Sequence, residues 1–84
     1  MSNFHYVYVL RSLKDGNFYV GMAADLRIRV AQHNAGQVLS TSPRRPFELV
    51  YYEACRNIHD AALREKYLKT ASGIAFRNKR LVKK

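Results

Sequence analysis

The chain has 84 residues, of which 48% are hydrophobic and 12% aromatic, and its formal net charge is +9. That length suits one small domain spanning residues 1–84, excludes dinucleotide-binding and barrel enzymes, and its apolar content excludes disorder. The longest purely apolar run, Tyr6 to Leu10, is too short to cross a bilayer, and the lone Cys55 can form no internal disulfide, so a cytoplasmic protein with no membrane partner is expected.

The charge is uneven: +2 over residues 1–42 and +7 over residues 43–84. Such an imbalance points to a polyanionic partner, and nucleic acid is the commonest. No segment pairs a long apolar helix face with a basic one, which argues against membrane-surface binding.

His5 to Leu13 is rich in β-branched and aromatic residues and apolar on both faces, which predicts a central, covered strand. Asp15-Gly16 is a hairpin signal, and Phe18 to Gly21 the returning strand. A two-residue turn there pairs Lys14 with Asn17 and Ser12 with Tyr19. That register puts Tyr6, Tyr8 and Tyr19 on one face.

Ala24 to Ala35 reads as a helix with Asp25 in its first turn, Gly36 just beyond its end and Leu26 and Val30 in its buried stripe. Arg29 and His33 stack beside that stripe, four residues apart. Gln37 to Pro46 reads as a polar loop and Phe47 to Cys55 as a third strand. Asn57 caps a helix running to about Ala71, Ser72-Gly73 breaks it, and Ile74 to Leu81 forms a last short helix before the basic tail Val82-Lys83-Lys84. The predicted order is β-β-α-β-α-α.

The three histidines and one cysteine lack zinc-site spacing, and the four glycines form no phosphate loop. Singly, the remaining polar signals have ordinary explanations. Tyr6, Tyr8 and Tyr19 can fill a core. Arg29 can cover apolar surface with its stem, and Glu65 can pair with Lys69 at four-residue spacing.

As an ordered set they carry more. Tyr6-Val7-Tyr8, Tyr19-Val20-Gly21, Asp25-Leu26, Arg29 and His33 resemble the GIY-YIG nuclease family, with Tyr6 at the position of the first glycine. Ser40-Thr41, Arg44-Arg45-Pro46-Phe47, Leu49 to Glu53 and Arg64 to Lys69 extend the likeness to the family's small stand-alone bacterial members. It covers His5 to Leu81.

The resemblance implies an α/β fold, with a three-stranded antiparallel sheet flanked by helices. It also implies metal-dependent endonuclease chemistry on nucleic acid, DNA ahead of RNA. In so short a chain few side chains remain to read base edges, so weak sequence specificity or selection by structure is expected. Tyr8, Tyr19, Arg29, His33 and Glu65 fall on the catalytic positions, either tyrosine being eligible as general base. Glu65 falls on the ligand of one Mg²⁺ or Mn²⁺. Arg44, Arg45, Lys69, Arg77, Asn78, Lys79 and Arg80 are the expected nucleic-acid contacts, with Asn78 near the position of an active-site asparagine. Met22-Ala23 replaces small hydroxyl residues, which removes an expected helix cap, and Ile74-Ala75 replaces basic ones. The alternative is a basic DNA- or RNA-binding module that keeps the fold without cleaving.

Overall fold

The computed structural model describes residues 3–81, so the tail Val82-Lys83-Lys84 lies outside the described residues. Strand β1 spans His5–Ser12, β2 Phe18–Ala23 and β3 Phe47–Cys55; helix α1 spans Leu26–Asn34, α2 Ile58–Leu68 and α3 Ala71–Phe76. A short 3-10 turn, Ser42–Arg44, precedes β3, and a π-helical segment, Arg77–Leu81, continues α3. The sheet is antiparallel in the order β2-β1-β3, so the strand that is apolar on both faces is the central one.

Each face of β1 builds a separate core. Val7 and Val9 pack with Val20, Ala61 and Leu68, under α2 and α3. Tyr8 and Leu10 pack with Phe47, under Leu26 and Val30 of α1. A bulge at Val50 reverses the alternation of β3. Leu49 and Tyr52 consequently both stand on the α1 face, opposite Leu10 and Tyr8, while Val50 and Tyr51 join the other core.

The hairpin departs from its predicted register. Tyr19 pairs with Leu10 and Gly21 with Tyr8, leaving a four-residue turn, 13–16, in place of two residues. The wider turn is held by side chains: Ser12 Oγ accepts from the amides of Lys14 and Asp15, both at 3.1 Å, and Asp15 Oδ1 accepts from the Asn17 amide at 2.8 Å. The shift is an even number of residues, so Tyr6, Tyr8 and Tyr19 still share a face.

Helix ends also differ from expectation. Asp25 is the N-cap of α1 and accepts from the Ile28 amide at 3.1 Å, so the helix keeps a cap despite Met22-Ala23. Asn57 caps α2 as expected. That helix stops at Leu68 rather than Ala71, because Thr70 caps α3 by accepting from the Gly73 amide at 3.1 Å. Ser72-Gly73 therefore lies inside a helix instead of breaking one. Gly73 is buried where α3 crosses the end of α2, and a Cβ on it would overlap the Tyr67 carbonyl and come 2.8 Å from Leu68 Cα.

Because the obstacle is backbone, Gly73→Ala must displace α3. We expect a loss of about 1–3 kcal/mol, measured as a lower urea midpoint at unchanged slope.

Candidate active site

Tyr8 lies in the middle of the central strand and is 1% exposed. Its partner across β2 is Gly21, where a Cβ would overlap the Tyr8 hydroxyl. The glycine is thus the space into which the phenol points. Tyr19 flanks it, with ring centroids 6.4 Å apart, and is only partly buried.

Helix α1 crosses this face and supplies His33 from its last turn. The Tyr8 hydroxyl lies 2.8 Å from His33 Nε2, and His33 Nδ1 lies 2.7 Å from Thr41 Oγ1. Thr41 Oγ1 is in turn 3.3 Å from the Val38 carbonyl, which can only accept. Thr41 therefore donates to Val38 and accepts from Nδ1–H. This leaves Nε2 unprotonated, so Tyr8 is the donor to His33. Burial, and then the nearby Arg29 charge, hold His33 below its usual pKa, which keeps the imidazole neutral. Burial raises the pKa of Tyr8. The Arg29 guanidinium opposes that rise, while Tyr19 and Glu65 add to it. The net direction is upward, so proximity to Arg29 does not by itself make Tyr8 a phenolate.

Arg29 sits one turn before His33. Its Nη1 donates to Gln32 Oε1 at 3.2 Å, and its Nε is, among the described residues, the one buried side-chain polar atom without a partner. A buried donor of this kind beside a tyrosine hydroxyl suits an anionic oxygen.

Glu65 comes from α2, in the layer across the sheet. β2 is an edge strand, so the α2 side chains can reach round it: Lys69 lies 5.9 Å from the Tyr19 ring centroid and donates to Glu65 Oε2 at 3.1 Å. The four-residue ion pair read from the sequence is thus present. Glu65 also stays close enough for its charge to act on Tyr8. Among the described residues no three His, Cys, Asp or Glu side chains cluster as a metal cage.

The expected nucleic-acid contacts are dispersed. Arg44 Nε donates to Asp15 Oδ2 at 2.9 Å, and its guanidinium lies over the Phe47 ring. That bond first, and the Asn17 amide second, hold the Asp15 pKa down at about 2. Arg45 is exposed and bonds Ser42 Oγ at 2.6 Å. Arg77 is buried against Phe18, on the opposite face from the tyrosines, and its Nε donates to Asn78 Oδ1. Lys79 and Arg80 are exposed on the same π-helical segment. Neither Arg77 nor Asn78 joins the cluster around Tyr8. Thr41 and Gln32, which hold His33 and Arg29, received no role from the sequence. The only trace of Thr41 was the Ser40-Thr41 pair in the motif set.

The GIY-YIG catalytic domain matches residues 4–79. A UPF0213 protein of Staphylococcus saprophyticus is 42% identical over 69 residues, covering 81% of this chain and 83% of that protein. A UPF0213 protein of Staphylococcus aureus is 42% identical over 67 residues, covering 79% of this chain and 80% of that one. The solution NMR structure of the UPF0213 protein BH0048 from Bacillus halodurans superimposes with a TM-score of 0.57 at 29% identity, over 93% of this chain and 86% of that one. It shares the α/β architecture of a three-stranded antiparallel sheet with helices on its faces. Since the domain match runs through every strand and helix that builds the Tyr8 face, the chain belongs to the GIY-YIG catalytic-domain family.

Proposed function

We propose that this chain is a metal-dependent endonuclease that hydrolyses phosphodiester bonds in nucleic acid. The observation that carries the reading is the buried, unpartnered Nε of Arg29 beside the Tyr8–His33 pair, in a chain of net charge +9. An arginine so placed can fork onto phosphate oxygens where negative charge grows.

The donor set suits a hard cation that keeps most of its water: the carboxylate of Glu65 stands near the hydroxyls of Tyr8 and Tyr19. Mg²⁺ or Mn²⁺ held by Glu65 and substrate would neutralise the phosphate and stabilise the leaving oxygen. Lys69 neutralises the same carboxylate, so it must turn aside for the cation and can then meet the nucleic-acid backbone.

The two tyrosines take different parts. Tyr8 is buried, donates a hydrogen bond to His33 and has a raised pKa, which suits a positioning residue. Tyr19 is partly exposed on the same face and is the better placed general base for water. His33, held neutral, orients Tyr8. Arg45, Lys79 and Arg80 offer exposed charge for backbone contacts, while Arg44 would contribute through the hairpin turn it holds and Arg77 through its packing on Phe18. The Glu65–Lys69 pair also favours a second reading, a nucleic-acid-binding module that does not cleave.

Cleavage of plasmid, branched DNA and RNA with Mg²⁺ or Mn²⁺ decides between the two readings. Glu65→Gln should abolish cleavage yet leave salt-dependent binding nearly intact, since an amide is a poor ligand for a hard cation. Cleavage by Glu65→Gln at the wild-type rate under limiting Mg²⁺ would remove the ligand assignment. Binding without cleavage by the wild type would leave only the second reading.

Tyrosine-to-phenylalanine variants separate the two phenols. Tyr19→Phe should lose about 10²–10⁴ in cleavage rate with little change in stability. Tyr8→Phe leaves His33 Nε2 without its donor and should cost about 1–3 kcal/mol in urea unfolding.

The neutral His33 also sets a pH dependence. Its folded pKa lies below the usual 6.5, so the unfolded chain takes up the proton first on acidification. This part of the stability is full above pH 6.5 and is lost as pH falls below it. Urea midpoints should therefore drop between neutrality and about pH 5, with a shallower slope in His33→Gln.

A further inference from the structure

A second feature of the α1 face has no part in the mechanism above. Tyr6 precedes Tyr8 by two residues on β1 and stands on the same face, about 6.6 Å further along the strand. Its ring meets Tyr52 with centroids 6.0 Å apart and planes tilted by 60°. Tyr52 is 53% exposed, so much of its ring is open to solvent. The pair lines a groove of about 650 Å³ between α1 and β3. Leu26, Val30 and Leu49 give the groove an apolar lining, and Arg27 stands at it with its charge.

This groove adjoins the site. A smaller depression that reaches Arg29 and Gln32 shares Ala24, Asp25 and Ile28 with it. The Asp25 carboxylate at this junction already accepts from the Ile28 amide as the helix cap. The β3 bulge is what brings the groove about: without Val50 as the extra residue, Leu49 and Tyr52 would face opposite ways.

We propose that the Tyr6–Tyr52 shelf binds an unpaired nucleobase of the strand whose phosphate meets Arg29, an inference that rests on the nuclease reading of that site. Flat aromatic faces over an apolar floor accept the π-face of any base, and Arg27 and Arg29 match the anionic backbone that must run along the rim. A duplex keeps its bases stacked on one another, so the shelf selects nucleic acid with a single-stranded or distorted segment next to the scissile phosphate. This gives selection by structure rather than by base sequence, because every base has a π-face.

The test is binding without cleavage, in EDTA, at two salt concentrations. The probes are a short oligothymidylate and a strand of equal length and charge built from abasic residues. The wild type should bind the thymidylate about 5- to 150-fold more tightly, the range expected for stacking one base. Tyr52→Thr, which keeps strand propensity, should lose that preference while its affinity for the abasic strand is unchanged. Tyr52→Phe, which keeps the ring, should retain it. Equal affinity of the wild type for both strands, or a preference that survives in Tyr52→Thr, overturns the shelf and leaves the nuclease reading standing. No salt-dependent binding to either strand overturns both. A Tyr52-dependent preference without cleavage in Mg²⁺ or Mn²⁺ supports the shelf and removes the nuclease reading.

Discussion

The hydrogen-bonded chain from Tyr8 through His33 to Thr41 runs through the interior, with each of the three residues at most 1% exposed. A polar group buried without a partner costs about 1–3 kcal/mol, so breaking any link of the three removes a large share of the stability of so small a domain. Helix α1 has one other polar tie to the sheet: the Asn34 side chain donates to the Phe47 carbonyl at 3.1 Å and accepts from the Phe47 amide at 2.7 Å. Its one fully buried residue is His33, and Leu26 and Val30 are only half-buried. Apolar packing of that modest kind would tolerate sliding, whereas two hydrogen bonds of 2.7–2.8 Å do not. The polar chain, together with the Asn34–Phe47 pair, therefore sets where α1 lies on the sheet, and Arg29, one turn before His33, is carried to the Tyr8 hydroxyl as a consequence.

The same chain divides the labour between the faces of the sheet. The face under α2 and α3 is built from valines, leucine and alanine and supplies ordinary burial. The face under α1 holds the tyrosines, the histidine and the arginine, and it stays partly open at both edges. At the β2 edge, Lys69 and Glu65 come round to Tyr19. At the β3 edge, the bulge turns Leu49 and Tyr52 outward beside Tyr6. A central strand covered on both sides thus holds the tyrosines rigidly, while the edge strands leave access to them.

The positive charge is not uniformly available to a partner. Arg44 joins the hairpin turn to the 3-10 turn through Asp15. Arg64 pairs with Glu53 and lies over Tyr67 and Phe76, and Arg77 covers Phe18. These arginines use flat, weakly hydrated guanidinium groups to cover aromatic surface in a domain with a small core. The excess of +7 in residues 43–84 accordingly overstates the charge free to meet phosphate.

Much of this was legible without coordinates. Strand and helix order, the central covered strand and the cap at Asn57 follow from propensities and periodicities, which act between residues near in sequence. The shared face of Tyr6, Tyr8 and Tyr19 survived an error in turn width, because side-chain alternation depends only on parity. What sequence left open depends on contacts between distant segments. Whether Asp15-Gly16 makes a turn of two residues or four is decided by Ser12 and Asp15 side chains meeting backbone amides. Whether Gly73 breaks a helix or lets two helices touch is decided by where Tyr67 lies. Thr41 could not be given a partner, nor Tyr8 and Tyr19 distinct roles, because proton direction and burial belong to the assembled interior. The sequence by itself determined which elements form and which residues share a face, since those are local properties of the chain. Only the tertiary structure decided which buried groups satisfy one another, because that choice is made through space and enforced by the cost of leaving any of them unpaired.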